Sequence, residues 1–141
     1  MPALPTVAAT GEIEVQASDL IGEWKLDDFI VHREDGEAFH WPGVQSGTLI
    51  YTASGYVSVA QNRQPLDQPS PEDAQRVSNF YTGNWRLGEE PGMVYHTALQ
   101  SSAPAVVGQT MRREVALLPD GRLQLSGQGL KERVTLIWSR L

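Results

Sequence analysis

Thr48-Leu49-Ile50-Tyr51-Thr52-Ala53-Ser54-Gly55-Tyr56-Val57-Ser58-Val59-Ala60-Gln61 is the stretch on which the reading of the chain turns. Its two halves, 48–53 and 56–61, are rich in β-branched and aromatic side chains, which fit a pleated surface better than a helix. Ser54-Gly55 stands between them, and glycine supplies the positive φ of a tight reversal. The stretch predicts an antiparallel hairpin. A hairpin alone is marginal in water, so further strands are needed on both of its edges.

They are present in both directions. Upstream, Asp19-Leu20-Ile21-Gly22 leads into a long β pattern in which Trp24, Leu26 and Ile30 alternate with Lys25 and Asp27, while Phe29 and Val31 keep the second face apolar. Glu34-Asp35-Gly36 predicts a turn, and a short run from Ala38 to Trp41 stops at Pro42-Gly43. Downstream, strand-like runs cover 80–87, 93–99, 110–118, 122–126 and 133–140. Gly88 to Gly92, Pro119-Asp120-Gly121 and Gly127-Gln128-Gly129 separate them as turns. Pro65, Pro69 and Pro71 interrupt the rhythm after residue 61. Ser70 as a cap, Pro71 in the first turn, and Glu72 and Asp73 at the positive end of the dipole predict one short helix over 71–78. The expected fold is therefore all-β: about eight antiparallel strands, with one short helix between the third and fourth. A meander of this kind closes into a barrel because closure removes exposed edges. An open sandwich is the alternative. Residues 1–17 read as a flexible leader and 18–141 as the barrel domain.

Composition narrows the function. The 141 residues hold no cysteine, which excludes disulfides, a thiol nucleophile and Cys-based metal sites. A net charge of −6 repels phosphate backbones, so nucleic acid is not an expected partner. Hydrophobic residues at 40% are too many for a disordered chain, yet no run approaches the ~18 apolar residues of a membrane helix. Val7-Ala8-Ala9 is too short for the core of a signal peptide, and the first basic residue is Lys25. The expected location is cytoplasmic. No His-Glu-x-x-His pattern or Gly-x-Ser-x-Gly elbow occurs, so neither a metal site nor a serine hydrolase is expected.

Several segments, in order, resemble the lipocalin-like domain family of small calycin-type barrels. Leu20-Ile21-Gly22-Glu23-Trp24-Lys25-Leu26 is similar to the Gly-x-Trp opening of such barrels, and residues 47–59 are similar to their central hairpin. Tyr81-Thr82-Gly83-Asn84-Trp85, Val94-Tyr95-His96, and Arg112-Arg113 followed by Asp120-Gly121-Arg122-Leu123-Gln124-Leu125 resemble the strands that follow. The resemblance implies a barrel with a cavity, closed at one end by Trp24 with Arg140 packed across it. It implies no single reaction. Two departures are Asp28, at a position that is usually small and neutral, and the Ser/Ala-rich loop from Gln100 to Val107.

The candidate site residues follow from strand parity and side-chain chemistry. Asp28 shares parity with Trp24, Leu26 and Ile30, so without a bulge it faces the interior, where a desolvated carboxyl suits acid–base work. A bulge near Asp27-Asp28 would instead turn it outward. Arg112 and Arg113 are adjacent on a strand, so one points in, to hold a carboxylate or enolate or to pair with Asp28, and the other points out. Glu114 shares parity with Arg112, and the alternative is that the two simply bridge on the outer face. His96 is a second acid–base candidate or a hydrogen-bonded wall residue, whereas His32 and His40 fall near turns and read as solvated. Tyr51, Tyr56, Tyr81, Trp85 and Tyr95 are candidates to line a ligand pocket, or else core filling. Segment 62–78 reads as a lid or plug. The expected activity is binding of one small, largely apolar or amphipathic molecule without a cofactor. The alternatives are a cofactor-free cyclase or isomerase acting on a polyketide-like or terpenoid substrate through Asp28 or His96, and a purely structural barrel. Neither membrane nor nucleic acid is an expected partner; a homodimer is left open.

Overall fold

The computed structural model describes residues 14–41, 45–63, 78–129 and 132–141. A single helical turn, α1 (Ala17–Leu20), precedes nine strands. These are β1 (Gly22–His32), β2 (Ala38–His40), β3 (Gln45–Tyr51), β4 (Tyr56–Arg63), β5 (Ser78–Leu87), β6 (Met93–Ser101), β7 (Thr110–Leu117), β8 (Leu123–Gln128) and β9 (Arg133–Arg140). A 3-10 turn at Pro104–Val106 lies between β6 and β7.

All neighbours are antiparallel, in the order β2-β1-β3-β4-β5-β6-β7-β8-β9, and β1 also pairs with β9. One edge of β1 is shared: Gly22 to Lys25 pair with β3, and Ile30 to His32 pair with β2. Its other edge runs along β9. Eight strands thus close into a barrel, and β2 is an extra strand beside it. The hairpin between β3 and β4 has the expected form, with Gly55 at φ +91° and Thr52 N–H donating to the Tyr56 carbonyl at 2.9 Å. The helix expected over 71–78 falls outside the described residues apart from Ser78, which opens β5. Among the described residues the α-helix is α1, ahead of β1 rather than between strands. Of the expected leader, residues 1–13 lie outside the described residues, while Val15 packs into the main core.

Side-chain alternation sends one face of each strand inward. At the end where β1 begins, the interior is solid: Leu20, Trp24, Val57, Val94 and Leu123 are fully buried. Trp24 Nε1 donates to the Leu20 carbonyl at 2.9 Å, which ties α1 to the barrel. The Arg140 guanidinium lies 4.2 Å from the Trp24 ring and donates to the carbonyls of Ile21 and Asp19 at 3.0 and 2.7 Å. One planar cation covers the indole and satisfies two carbonyls, a combination that lysine cannot reproduce. Gly22, at φ +137°, makes room for it, because a Cβ there would stand 2.5 Å from Arg140 Nη1. The Gly-x-Trp opening and the terminal arginine are one structural unit.

β1 contains the feature that sequence parity alone does not resolve. Its pairing with β9 shifts between Leu26 and Asp28, so Asp27 is an inserted residue. Before the bulge Trp24 and Leu26 face inward; after it Phe29 and Val31 do.

Candidate functional site

Beyond the solid end, the barrel holds a partly open cavity of about 310 Å³, at the lower end of the usual range for ligand pockets. Its apolar wall comes from inward positions of most strands: Phe29 and Val31 after the bulge, Leu49, Val59, Met111, Leu125, Val134, Leu136 and Trp138. Ala103, Ala105 and Val106, from the connection between β6 and β7, also line it. The polar lining includes Gln61, Arg63, Asn79, Tyr81, His96, Gln109 and Arg113.

The polar side chains are organised around His96. It is 1% exposed and sits between two tyrosines: Nε2 is 2.7 Å from the Tyr51 hydroxyl and Nδ1 is 2.6 Å from the Tyr81 hydroxyl. Burial, reinforced by the positive charge of Arg113, pushes the His96 pKa down to about 3, so the imidazole is neutral at pH 7. Burial pushes Tyr81 up to about 12 and Tyr51 well above its ordinary value, so both phenols keep their protons. A neutral imidazole has one N–H and one lone pair. Tyr51 is 1% exposed, does not line the cavity, and its hydroxyl has His96 as its partner among the described residues. Its hydrogen is satisfied only when Nε2 accepts it. Nδ1 then carries the ring proton and donates to Tyr81, whose own O–H is left to donate into the cavity it lines. The chain Tyr51 → His96 → Tyr81 thus delivers one polarised donor to the interior.

Arg113 supplies the charge. On β7 the inward positions are Met111, Arg113 and Val115, which settles the orientation of the adjacent pair: Arg113 lines the cavity and Arg112 is exposed. Gly127 on β8 lets the side chain lie across the sheet, since a Cβ there would stand 2.7 Å from Arg113 Nη1. A second inward arginine, Arg63, is held by stacking, 3.8 Å from the Phe29 ring and 4.5 Å from the Trp41 ring.

The other sequence candidates lie elsewhere. The bulge at Asp27 turns Asp28 outward, where it bonds His40 Nδ1 at 2.7 Å, so it is not a cavity carboxylate. His40 is therefore paired, and His32 bonds Thr135 at 2.8 Å. Tyr56 is exposed, and Tyr95 points outward to Glu90 at 2.6 Å with Arg86 over its ring. Trp85 packs 4.8 Å from the Tyr51 ring and donates to the Thr52 carbonyl at 3.0 Å, behind the site rather than in it. Glu114 bonds Arg133 on the exterior, not Arg112. Residues 64–77 of the expected lid lie outside the described residues, while Arg63 and Asn79 beside them line the cavity. Sequence reasoning missed Gln61, Arg63 and Trp138. All three follow the inward parity of their strands, Val57-Val59-Gln61-Arg63 and Val134-Leu136-Trp138.

No group of three or more His, Asp or Glu side chains suited to hold a metal occurs among the described residues, and no helix among them is long and apolar enough to cross a membrane. No curated protein sequence matches the chain. Among solved structures, a redesigned β-barrel is similar at 13% identity and a TM-score of 0.45, covering 93% of this chain and 99% of that one. A family model described as a lipocalin-like domain matches residues 21–141, from the Gly-x-Trp opening through the strand that carries Arg140. The chain belongs to the lipocalin-like domain family.

Proposed function

We propose that this protein binds one small, largely apolar molecule inside the barrel. The observation that carries the reading is a cavity of about 310 Å³ whose apolar wall is interrupted by a directed polar group, Tyr81 backed by His96 and Tyr51. A barrel that served only as a scaffold gains nothing from that arrangement. Hollow interior forfeits dispersion contacts, and two phenols and an imidazole in the core require mutual satisfaction.

A cyclase or isomerase reading has one observation in its favour: the Tyr81 hydroxyl and Arg113 are both suited to stabilise an oxyanion. It lacks a base. Asp28 is on the outer face, and His96 has both nitrogens engaged with tyrosine. Chemistry at this site would rest on holding and polarising a substrate, and binding is the reading the geometry supports best.

Isothermal titration with 1-octanol tests it. Burying most of the chain at ~0.8 kcal/mol per methylene predicts a one-to-one complex with a dissociation constant on the order of 0.1 mM. Leu125→Trp, which fills the cavity, should weaken binding at least ~10-fold, and Val59→Phe offers a smaller intrusion if the tryptophan is not accommodated. Undetectable binding to the wild type, or equal binding to the filled variants, would contradict the proposal.

A further inference from the structure

We infer that the molecule held in the cavity carries a carboxylate, seated against Arg113, Tyr81 and Trp138, with its apolar body along Val59, Leu125 and Leu136. This rests on the cavity-binding reading above and adds the chemical class of the ligand.

Arg113 is half-buried and faces the interior with no ion pair among the described residues. Its hydrogen bonds go to the adjacent Arg112 carbonyl at 3.1 Å and to the Met111 sulfur at 3.6 Å. The sulfur is a weak acceptor, neither partner carries a negative charge, and together they engage two of the five N–H donors of the guanidinium. A cation turned into a barrel without a counterion is costly, and an anion beside it removes the cost. Gly127 accommodates the side chain in this position: a Cβ there would stand 2.7 and 2.8 Å from Arg113 Nη1 and Cδ, so any larger residue would shift the guanidinium.

Two further donors line the same cavity. The Tyr81 O–H is the one the His96 tautomer leaves unspent. Trp138 is 1% exposed, and its Nε1 is buried with no hydrogen-bond partner. Guanidinium, phenol and indole make a set that donates to the ligand, and each satisfies an acceptor. Glu132 carries the one carboxylate among the described lining residues, and it forms no ion pair with Arg113. His96 is neutral and adds no charge, and Arg63 is clamped between Phe29 and Trp41. The set therefore offers one open positive charge and several N–H and O–H donors. A carboxylate matches it with a single negative charge, two oxygens and about four lone-pair directions, and can meet Arg113 in bidentate fashion.

The test compares octanoate with 1-octanol, which share a chain length and differ in the head group, by isothermal titration of the full chain at pH 7. Octanoate should bind the wild type at least about tenfold more tightly, which is about 1.4 kcal/mol. Arg113→Met should bring the ratio of the two affinities to about one. Gly127→Ala, which displaces the guanidinium without removing it, provides a second variant expected to lower the ratio. Equal affinities in the wild type, or a preference that survives Arg113→Met, would overturn the carboxylate seat and leave the cavity reading standing. Failure of both compounds to bind would overturn the two together.

Discussion

Between pH 6.5 and about pH 3 the protein is expected to lose on the order of 5 kcal/mol of folding stability through His96 alone. The folded-state pKa is depressed from 6.5 to about 3, first by burial and second by the Arg113 charge. The unfolded chain therefore takes up a proton over this interval while the folded chain does not. Stability is fully present above pH 6.5 and falls as the pH drops through the window. Hydrogen-bond loss is not the cause, because an imidazolium can donate to both tyrosines; the cost is an uncompensated buried cation. Urea denaturation at successive pH values measures the slope. His96→Gln should flatten it between pH 6.5 and 4, whatever its absolute stability, and an unchanged slope in that variant would remove His96 as the cause. The opposite sign applies at high pH. Tyr81 is raised from 10.0 to about 12, so stability is lost again as the pH rises from 10 towards 12.

Gly83→Ala is the substitution with the largest expected structural effect. Gly83 is buried in β5, and a Cβ at that position would stand 1.8 Å from the Thr97 carbonyl oxygen, 2.9 Å from its carbon and 3.0 Å from the Leu99 nitrogen. These are backbone atoms of the adjacent strand, so no rotamer change relieves the clash. The β5–β6 register also shifts here, Thr82 pairing with Gln100 and Gly83 with Ala98, so that Leu99 is an inserted residue on β6. The two strands must separate, breaking ladder hydrogen bonds between β5 and β6 two residues from Tyr81. We expect a loss of about 3–4 kcal/mol or more, seen as a drop in the urea midpoint or as failure to accumulate folded protein. A midpoint within about 0.5 kcal/mol of the wild type would show that the close approach of β5 and β6 at this point is not required.

Local signals carried much of this architecture. The Ser54-Gly55 and Asp35-Gly36 turns and the strand runs depend on residue type and short spacing, and the structure has them where those signals place them. The packing of Arg140 across Trp24, from opposite ends of the chain, was what the family resemblance implied, and the structure has it too. Parity left Asp28 open between the inner face and, with a bulge, the outer one; the structure has the bulge, and one inserted residue reverses every later side chain in its strand. The signal was present in outline: apolar residues occupy even positions at Trp24 and Leu26 and odd ones at Phe29 and Val31. Arg112 and Arg113 could not be told apart from residue type alone, because which of them faces inward is set by how β7 pairs with β6 and β8. Tyr51, Tyr81 and His96 were each recognisable as candidates. Their meeting was not, because they come from three strands, with Tyr51 and Tyr81 lying 45 and 15 residues from His96, and pairing along the sheet from β3 to β6 brings them within hydrogen-bond reach.

Methyl-resolved NMR of the protein titrated with octanoate and 1-octanol tests most directly that a small molecule enters the barrel. The account predicts shifts at the Val59, Met111, Leu125 and Leu136 methyls and at the His96 ring, with the exposed Leu99 and Leu141 unmoved. Shifts confined to exterior methyls, or none at saturating concentrations of either compound, would contradict it.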